Sequence, residues 1–261
     1  MLIYLLIILV DEKRKPLRKT VDFRQFMGKS KSQGHCGSCY AQAATTMLEA
    51  RIRRKYQNVL KKYVSHPRDF LLSVEHVLDC SFYNQGCHGG YPYLVAKFFK
   101  EFETMPKDCY SKGSCMNTCK EKKTSPLGKL KFDVTDYYYI GGYYGATREE
   151  SLMRELVDNG PFVISISPSY IFSMYEKGIM DADQTTWKQL GIDKPEWERV
   201  DHSTVLVGYG VENGKEYWLI QNSWGDDWGE NGYFRIVKGK NLMHIESLGQ
   251  CAKINMTEEA N

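Results

Sequence analysis

Gln33-Gly-His-Cys36-Gly-Ser-Cys39-Tyr-Ala-Gln-Ala-Ala-Thr-Thr-Met47-Leu-Glu49 decides how the rest of the chain reads. Polar, glycine-bearing chain runs into Cys39, and good helix formers follow it: Ala41, Ala43, Ala44, Met47, Leu48, Glu49 and Ala50. This predicts Cys39 in the first turn of a helix, where unpaired N–H groups and the positive dipole end favour a thiolate. Two readings stay open at this point. Cys36 and Cys39 form a redox C-x-x-C pair, or Cys39 is a nucleophile and Cys36 a structural neighbour.

Outward from this stretch, the helix is expected to run to about Tyr63. Arg51, Arg53, Arg54, Lys55, Lys61 and Lys62 make its far end basic, which reads as a solvated face suited to the helix dipole. Ser73 is placed as the N-cap of a short helix into Cys80. Gln85-Gly-Cys-His-Gly-Gly90 reads as a tight turn where backbone can approach a ligand, and Tyr91 to Phe102 as a helix with Pro92 in its first turn. From about residue 130 the texture becomes β-rich. Strands are expected over 132–140, 162–167, 203–209, 216–221 and 232–237, with a capped helix over 147–159 and Asn213-Gly214 as a hairpin turn.

These elements give an α+β fold of two lobes. A helical, cysteine-rich lobe over 33–128 faces a β-rich lobe over 129–261, with a cleft between them. Residues 11–32 read as an N-terminal linker or extended segment. The first ten residues are wholly apolar, too short to span a bilayer and suited to a secretory signal, so no stable membrane span is expected.

At 261 residues, 42% hydrophobic and 13% aromatic, the chain has enough apolar side chain for a real core. Its net charge of +3, with no concentrated basic stripe, gives no reason to expect nucleic acid as a partner. Seven of the eight cysteines lie between positions 36 and 119, which points to disulfides and an oxidising compartment. Zinc is the rival reading, but the spacings match a zinc ribbon poorly and no metal is expected.

A cysteine nucleophile needs a base, a group to orient the base and donors for an oxyanion. Of six histidines, His202 stands out because it precedes the strand Ser-Thr-Val-Leu-Val-Gly-Tyr. Asn222 lies at the end of the partner strand, placed to hold the His202 ring, with Trp224 to shield that bond from water. Gln33 is a candidate side-chain donor to the oxyanion.

Gln33-Gly-His-Cys-Gly-Ser-Cys-Tyr, Cys87-x-Gly-Gly, His202-Ser-Thr-Val-Leu-Val-Gly-Tyr-Gly and Asn222-Ser-Trp-Gly together resemble the papain/cathepsin family of cysteine peptidases. The resemblance implies Cys39 as nucleophile, His202 as base, Asn222 as orienter and Gln33 as oxyanion donor. It implies substrate contacts at Gly89, Gly90, Tyr91 and Trp224. It also implies disulfides Cys36–Cys87, Cys80–Cys115 and Cys109–Cys119, leaving Cys251 as a free thiol and setting aside the redox pair. The expected partners are peptide or protein substrates, no organic cofactor is implied, and the expected location is lysosomal, vacuolar or secreted.

A more specific resemblance, to the cathepsin C (dipeptidyl peptidase I) type, rests on Met47-Leu-Glu-Ala-Arg-Ile-Arg53, Gln85-Gly-Cys-x-Gly-Gly-Tyr-Pro-Tyr-Leu94 and Tyr139-Ile-Gly-Gly-Tyr-Tyr-Gly145. It implies a chloride near Tyr93 and Tyr139, and an exclusion domain as a partner absent from this chain. With that domain the activity expected is removal of dipeptides; without it, endopeptidase cleavage. Extra length is placed around 54–70 and 181–200; the second, holding Trp187 and Trp197, leads to His202 and is expected to shape the leaving-group side of the cleft. The reading from another class is a catalytically inactive homologue acting as a binding or decoy protein.

Overall fold

The computed structural model describes residues 16–113, 115, 125–181 and 200–258. The apolar first ten residues, Cys119 and the loop with Trp187 and Trp197 lie outside the described residues.

Among the described residues, four α-helices and eight strands carry the fold. Strand β1 (Val21–Asp22) precedes helix α1 (Cys39–Leu60), α2 (Val74–Cys80) and α3 (Pro92–Glu101). Then come β2 (Leu130–Tyr139), α4 (Glu149–Asn159), β3 (Phe162–Ile166), β4 (Ile179–Met180), β5 (His202–Glu212), β6 (Lys215–Gln221), β7 (Tyr233–Val237) and β8 (Gly249–Glu258). The sheet runs β2-β8-β3-β5-β6-β7-β4, with β1 paired to β5. Every pairing is antiparallel except β4 with β7. The β5–β6 hairpin turns at Asn213 and Gly214, both at positive φ, as two-residue hairpins of this hand require.

Helix α1 is the spine. It is buried from Tyr40 to Arg53, and four alanines on it let sheet and neighbouring helices approach closely. Its last turn departs from helical geometry at Tyr56 (φ −125°). Ser73 caps α2 through its hydroxyl, which accepts the His76 N–H at 3.0 Å. Pro92 opens α3, and Gly160 closes α4 at φ +90°. Disulfides join Cys36 to Cys87 and Cys80 to Cys115. Cys109 is disulfide-bonded as well, and Cys251 is free and buried.

The basic far end of α1 is a solvated face only in part: Lys55, Lys61 and Lys62 are exposed, but two of its arginines are not. Arg51 and Arg53 are 6% and 1% exposed. The Arg51 guanidinium donates to the carbonyls of Pro161 (2.8 Å) and Ala252 (2.9 Å) and pairs with Glu155 at 2.8 Å. Arg53 donates to the carbonyls of Phe70 (2.6 Å), Pro67 (3.1 Å) and Phe26 (3.1 Å) and pairs with Glu49 at 3.4 Å. The planar fork of five donors satisfies carbonyls that would otherwise be buried unpaired, so burial is tolerated. Arg51 thereby ties α1 to the starts of β3 and the middle of β8, fixing the Cys39 helix against the sheet that carries His202.

Three strands lie beyond the sequence expectation: β1, β4 and β8. The first two have two residues each. β8 shows the alternation Ala252, Ile254, Met256 on its buried face, a period of two that marks a half-buried strand.

Candidate active site

Cys39 is the first residue of α1, and a cleft of about 610 Å³ opens beside it. One wall carries Gln33, Cys39, Cys87 and the turn Gly89-Gly90-Tyr91; the other carries Tyr139, Ser165, the run Val200 to Ser203 and Gln250. The Cys36–Cys87 disulfide, with Gly37 N–H donating to the Cys87 carbonyl at 2.8 Å, clamps the turn onto the helix entry. At Gly90 a Cβ would sit 2.4 Å from Asn84 Oδ1 and 2.7 Å from the Tyr40 ring, so only glycine fits this close approach.

His202 is the first residue of β5 and is 7% exposed. Its Nε2 lies 2.7 Å from Asn222 Oδ1, just past the end of β6. The β5–β6 pairing brings the two together, with Val205 opposite Gln221. Asn222 Oδ1 also receives the Ser223 backbone N–H at 2.8 Å. Oδ1 is therefore the acceptor, the His202 proton sits on Nε2, and Nδ1 is the nitrogen left to take a proton from a thiol. Trp224 covers the imidazole with ring centroids 5.1 Å apart, and it packs in turn on Phe172 and Trp228. Trp224 thus touches His202 but is not part of the cleft wall described above.

Gln33 is placed by a short antiparallel contact. Ser32 bridges Trp224, the Gln33 N–H donates to the Ser223 carbonyl at 3.0 Å, and Gly225 N–H donates to the Lys31 carbonyl at 3.1 Å. Its side chain is fixed at both ends: Oε1 accepts from Ser223 Oγ (2.7 Å) and Nε2 donates to the Cys36 carbonyl (3.0 Å). One N–H of Nε2 remains for a further acceptor.

Burial pushes the Cys39 thiol up, while the backbone N–H groups of Ser203 and Tyr40 favour its thiolate. Burial pushes the His202 imidazole down, opposed by the Asn222 hydrogen bond. Each shift resists a lone charge. A thiolate and an imidazolium formed together offset each other, which suits a proton passed between them.

Tyr93 and Tyr139 stack face to face with centroids 4.5 Å apart. The Tyr93 backbone N–H donates to Gln250 Oε1 at 3.0 Å, and Gln250 Nε2 donates to Ser165 Oγ at 2.9 Å. A chloride needs donors; with the Tyr93 N–H taken by the Gln250 side-chain oxygen, those that these two residues retain are their phenol O–H groups.

Ser165, Ser203, Ser223 and Gln250 have no part in the sequence expectation. A signal exists for one of them: Ser165 is a polar residue inside the otherwise apolar and wholly buried run of β3. Among the described residues no group of three or more metal-ligating side chains occurs, and no helix is long and apolar enough to cross a membrane.

The sequence profile described as papain family cysteine protease matches residues 17–255. The chain is 39% identical over 221 residues to a cathepsin C of Schistosoma mansoni, covering 84% of this chain and 46% of that protein. It is 30% identical over 279 residues to dipeptidyl aminopeptidase 1 of Plasmodium falciparum, covering 81% and 40%. The chain spans less than half the length of these two relatives. Among solved structures, digestive procathepsin L 3 of the Tenebrio molitor larval midgut superposes with a TM-score of 0.71 at 25% identity, covering 92% of this chain and 71% of that one.

Proposed function

The chain belongs to the papain family of cysteine proteases, and from that membership we propose that Cys39 is its nucleophile, His202 its base and acid, and Asn222 the group that orients His202. Gln33 is the side-chain donor to the oxyanion. The observation that carries this reading is that His202, held by Asn222 at 2.7 Å, lines the same cleft as Cys39.

The Cys39 thiol passes its proton to His202 Nδ1, and the sulfur attacks the peptide carbonyl carbon. The oxyanion takes hydrogen bonds from the Cys39 backbone N–H, in the first turn of α1, and from the remaining N–H of Gln33. His202 then protonates the leaving amine, the C–N bond breaks, and an acyl-enzyme remains. Water, deprotonated by His202, attacks the acyl carbon and releases the second product with Cys39 restored. Gly89, Gly90 and Tyr91 are the substrate-facing backbone, and Trp224 keeps water from the His202–Asn222 bond. No step passes through chloride.

The division into a helical lobe over 33–128 and a β-rich lobe over 129–261 frames this reading. The likeness to cathepsin C supports a dipeptidyl peptidase specificity when an exclusion domain closes one end of the cleft, and endopeptidase cleavage when both ends are open. The disulfides support a lysosomal, vacuolar or secreted setting. The test is hydrolysis of a fluorogenic dipeptide with a free amine, set beside its N-blocked form and an internally quenched longer peptide. Cys39→Ala is expected to abolish all turnover; retained turnover in that variant rules out the assignment.

A further inference from the structure

Two polar side chains of the cleft take no part in the proposed chemistry. Ser165 and Gln250 line it, yet each is only 5% exposed, whereas Tyr91 and Tyr144 on the same cleft are 64% and 45% exposed. The pair therefore lies at the floor of the cleft and the tyrosines at its rim. The surroundings of the pair are apolar. Ser165 interrupts the buried run Phe162–Ile166, its N–H donates to the Leu248 carbonyl at 3.1 Å, and Tyr139 stands opposite Gln250 in the β2–β8 register. Polar groups at such a depth cost free energy unless they are bonded.

Their orientation follows from one fixed donor. A backbone N–H can only donate, so the Tyr93 N–H, 3.0 Å away, identifies Gln250 Oε1 as the amide oxygen. Gln250 Nε2 then donates to Ser165 Oγ at 2.9 Å. Because Oγ accepts there, the Ser165 proton points elsewhere. The floor is left with two donors, the second N–H of Gln250 and the O–H of Ser165, and among the described residues neither has a protein acceptor. Charge then narrows what can enter. The described residues that line the cleft include no lysine or arginine, and Asp201 stands among them. A substrate carboxylate at the floor is buried with no counter-ion and with an acid in the same cleft, and a substrate ammonium meets donors only. A neutral oxygen suits both donors.

We propose that Ser165 and Gln250 are specificity-determining residues that select a substrate side chain carrying a neutral oxygen acceptor: the amide of glutamine or asparagine, or the hydroxyl of threonine. An extended peptide laid along the Gly89–Tyr91 backbone sends alternate side chains to opposite sides, which turns one of them toward this floor. The inference rests on the reading of the cleft as a peptidase site and adds which side chains that site prefers.

The test uses fluorogenic peptides in pairs of like shape, Gln against Met and Thr against Val, placed in turn at each position of the acyl portion, with Glu and Lys alongside. At one position kcat/KM is expected to favour Gln over Met and Thr over Val roughly tenfold, as one or two hydrogen bonds between neutral groups allow, with Glu and Lys below Gln. Gln250→Glu keeps an acceptor for the Tyr93 N–H and replaces the amide donors by a carboxylate, so Lys is expected to overtake Gln at that position. Ser165→Ala removes one donor and is expected to narrow the Gln/Met ratio. Ratios within one protein do not depend on how much of it is folded, and the ratios of the parent decide without any variant. Equal rates within both pairs at every position overturn the inference, as does a Gln preference that Gln250→Glu and Ser165→Ala leave unchanged. Cleavage without preference leaves the peptidase reading standing, whereas a parent that cleaves none of the peptides overturns both.

Discussion

Asn222 Oδ1 meets His202 Nε2 at 2.7 Å inside the protein, with Trp224 tilted against the imidazole. This bond favours the charged ring against a burial that disfavours it. Removing it by Asn222→Ala therefore lowers the His202 pKa further. The alkaline limb of kcat/KM is expected to shift to lower pH, and the rate at neutral pH to fall roughly a hundredfold. A pH–rate profile measured on both proteins checks this.

Arg51 is the structural counterpart of that pair, because it fixes the Cys39 helix to the sheet. Arg51→Met leaves Glu155 without its cationic partner and removes the guanidinium donors to the carbonyls of Pro161 and Ala252. The expected loss is about 3–5 kcal/mol of stability, read from denaturant unfolding. Burial alone raises the Glu155 carboxyl, but the Arg51 charge and the hydrogen bonds from Arg51, Tyr138 and Asn159 bring it below its usual value. A depressed carboxylate stabilises above its unfolded pKa and ceases to do so as pH falls through its folded one. In the parent protein this stabilisation is present at neutral pH and lost in acid. In the variant that part of the acid dependence disappears.

His76 works in the same direction by another route. It is packed against Phe98, Phe99 and Tyr110, and burial lowers it from 6.5 to about 4. The folded state binds its proton less readily than the unfolded chain. Stability is therefore full above pH 6.5 and declines as pH falls toward 4, by on the order of 3 kcal/mol. His76→Leu is expected to raise the melting temperature at pH 5 relative to the parent and to change it less at pH 7.5. A calorimetric scan at the two pH values tests the sign.

The strand pattern, the Ser73 cap and the Asn213-Gly214 turn are legible because they depend on neighbours within a few residues. β8 is legible in principle through Ala252, Ile254 and Met256, whereas β1 and β4 are too short to carry a period. The burial of Arg51 and Arg53 is not legible. It depends on carbonyls of Pro161, Ala252, Pro67 and Phe70, which only the fold brings to the helix. The same holds for the site. His202 and Asn222 can be matched from the ends of paired strands, but Ser223 on Gln33 and Gln250 on Tyr93 arise from contacts between distant segments.

The proposed function stands on Cys39 as the nucleophile with His202 as its base. The most direct measurement is the pH dependence of alkylation by iodoacetamide, read at each free cysteine by mass spectrometry. Cys39 and Cys251 are the free thiols among the described residues, and Cys251 is buried with its thiol pushed well up. One adduct is expected, on Cys39, formed at neutral pH in step with loss of peptide hydrolysis and slowed sharply by His202→Ala. Full hydrolysis after complete labelling of Cys39, or labelling indifferent to His202, contradicts it.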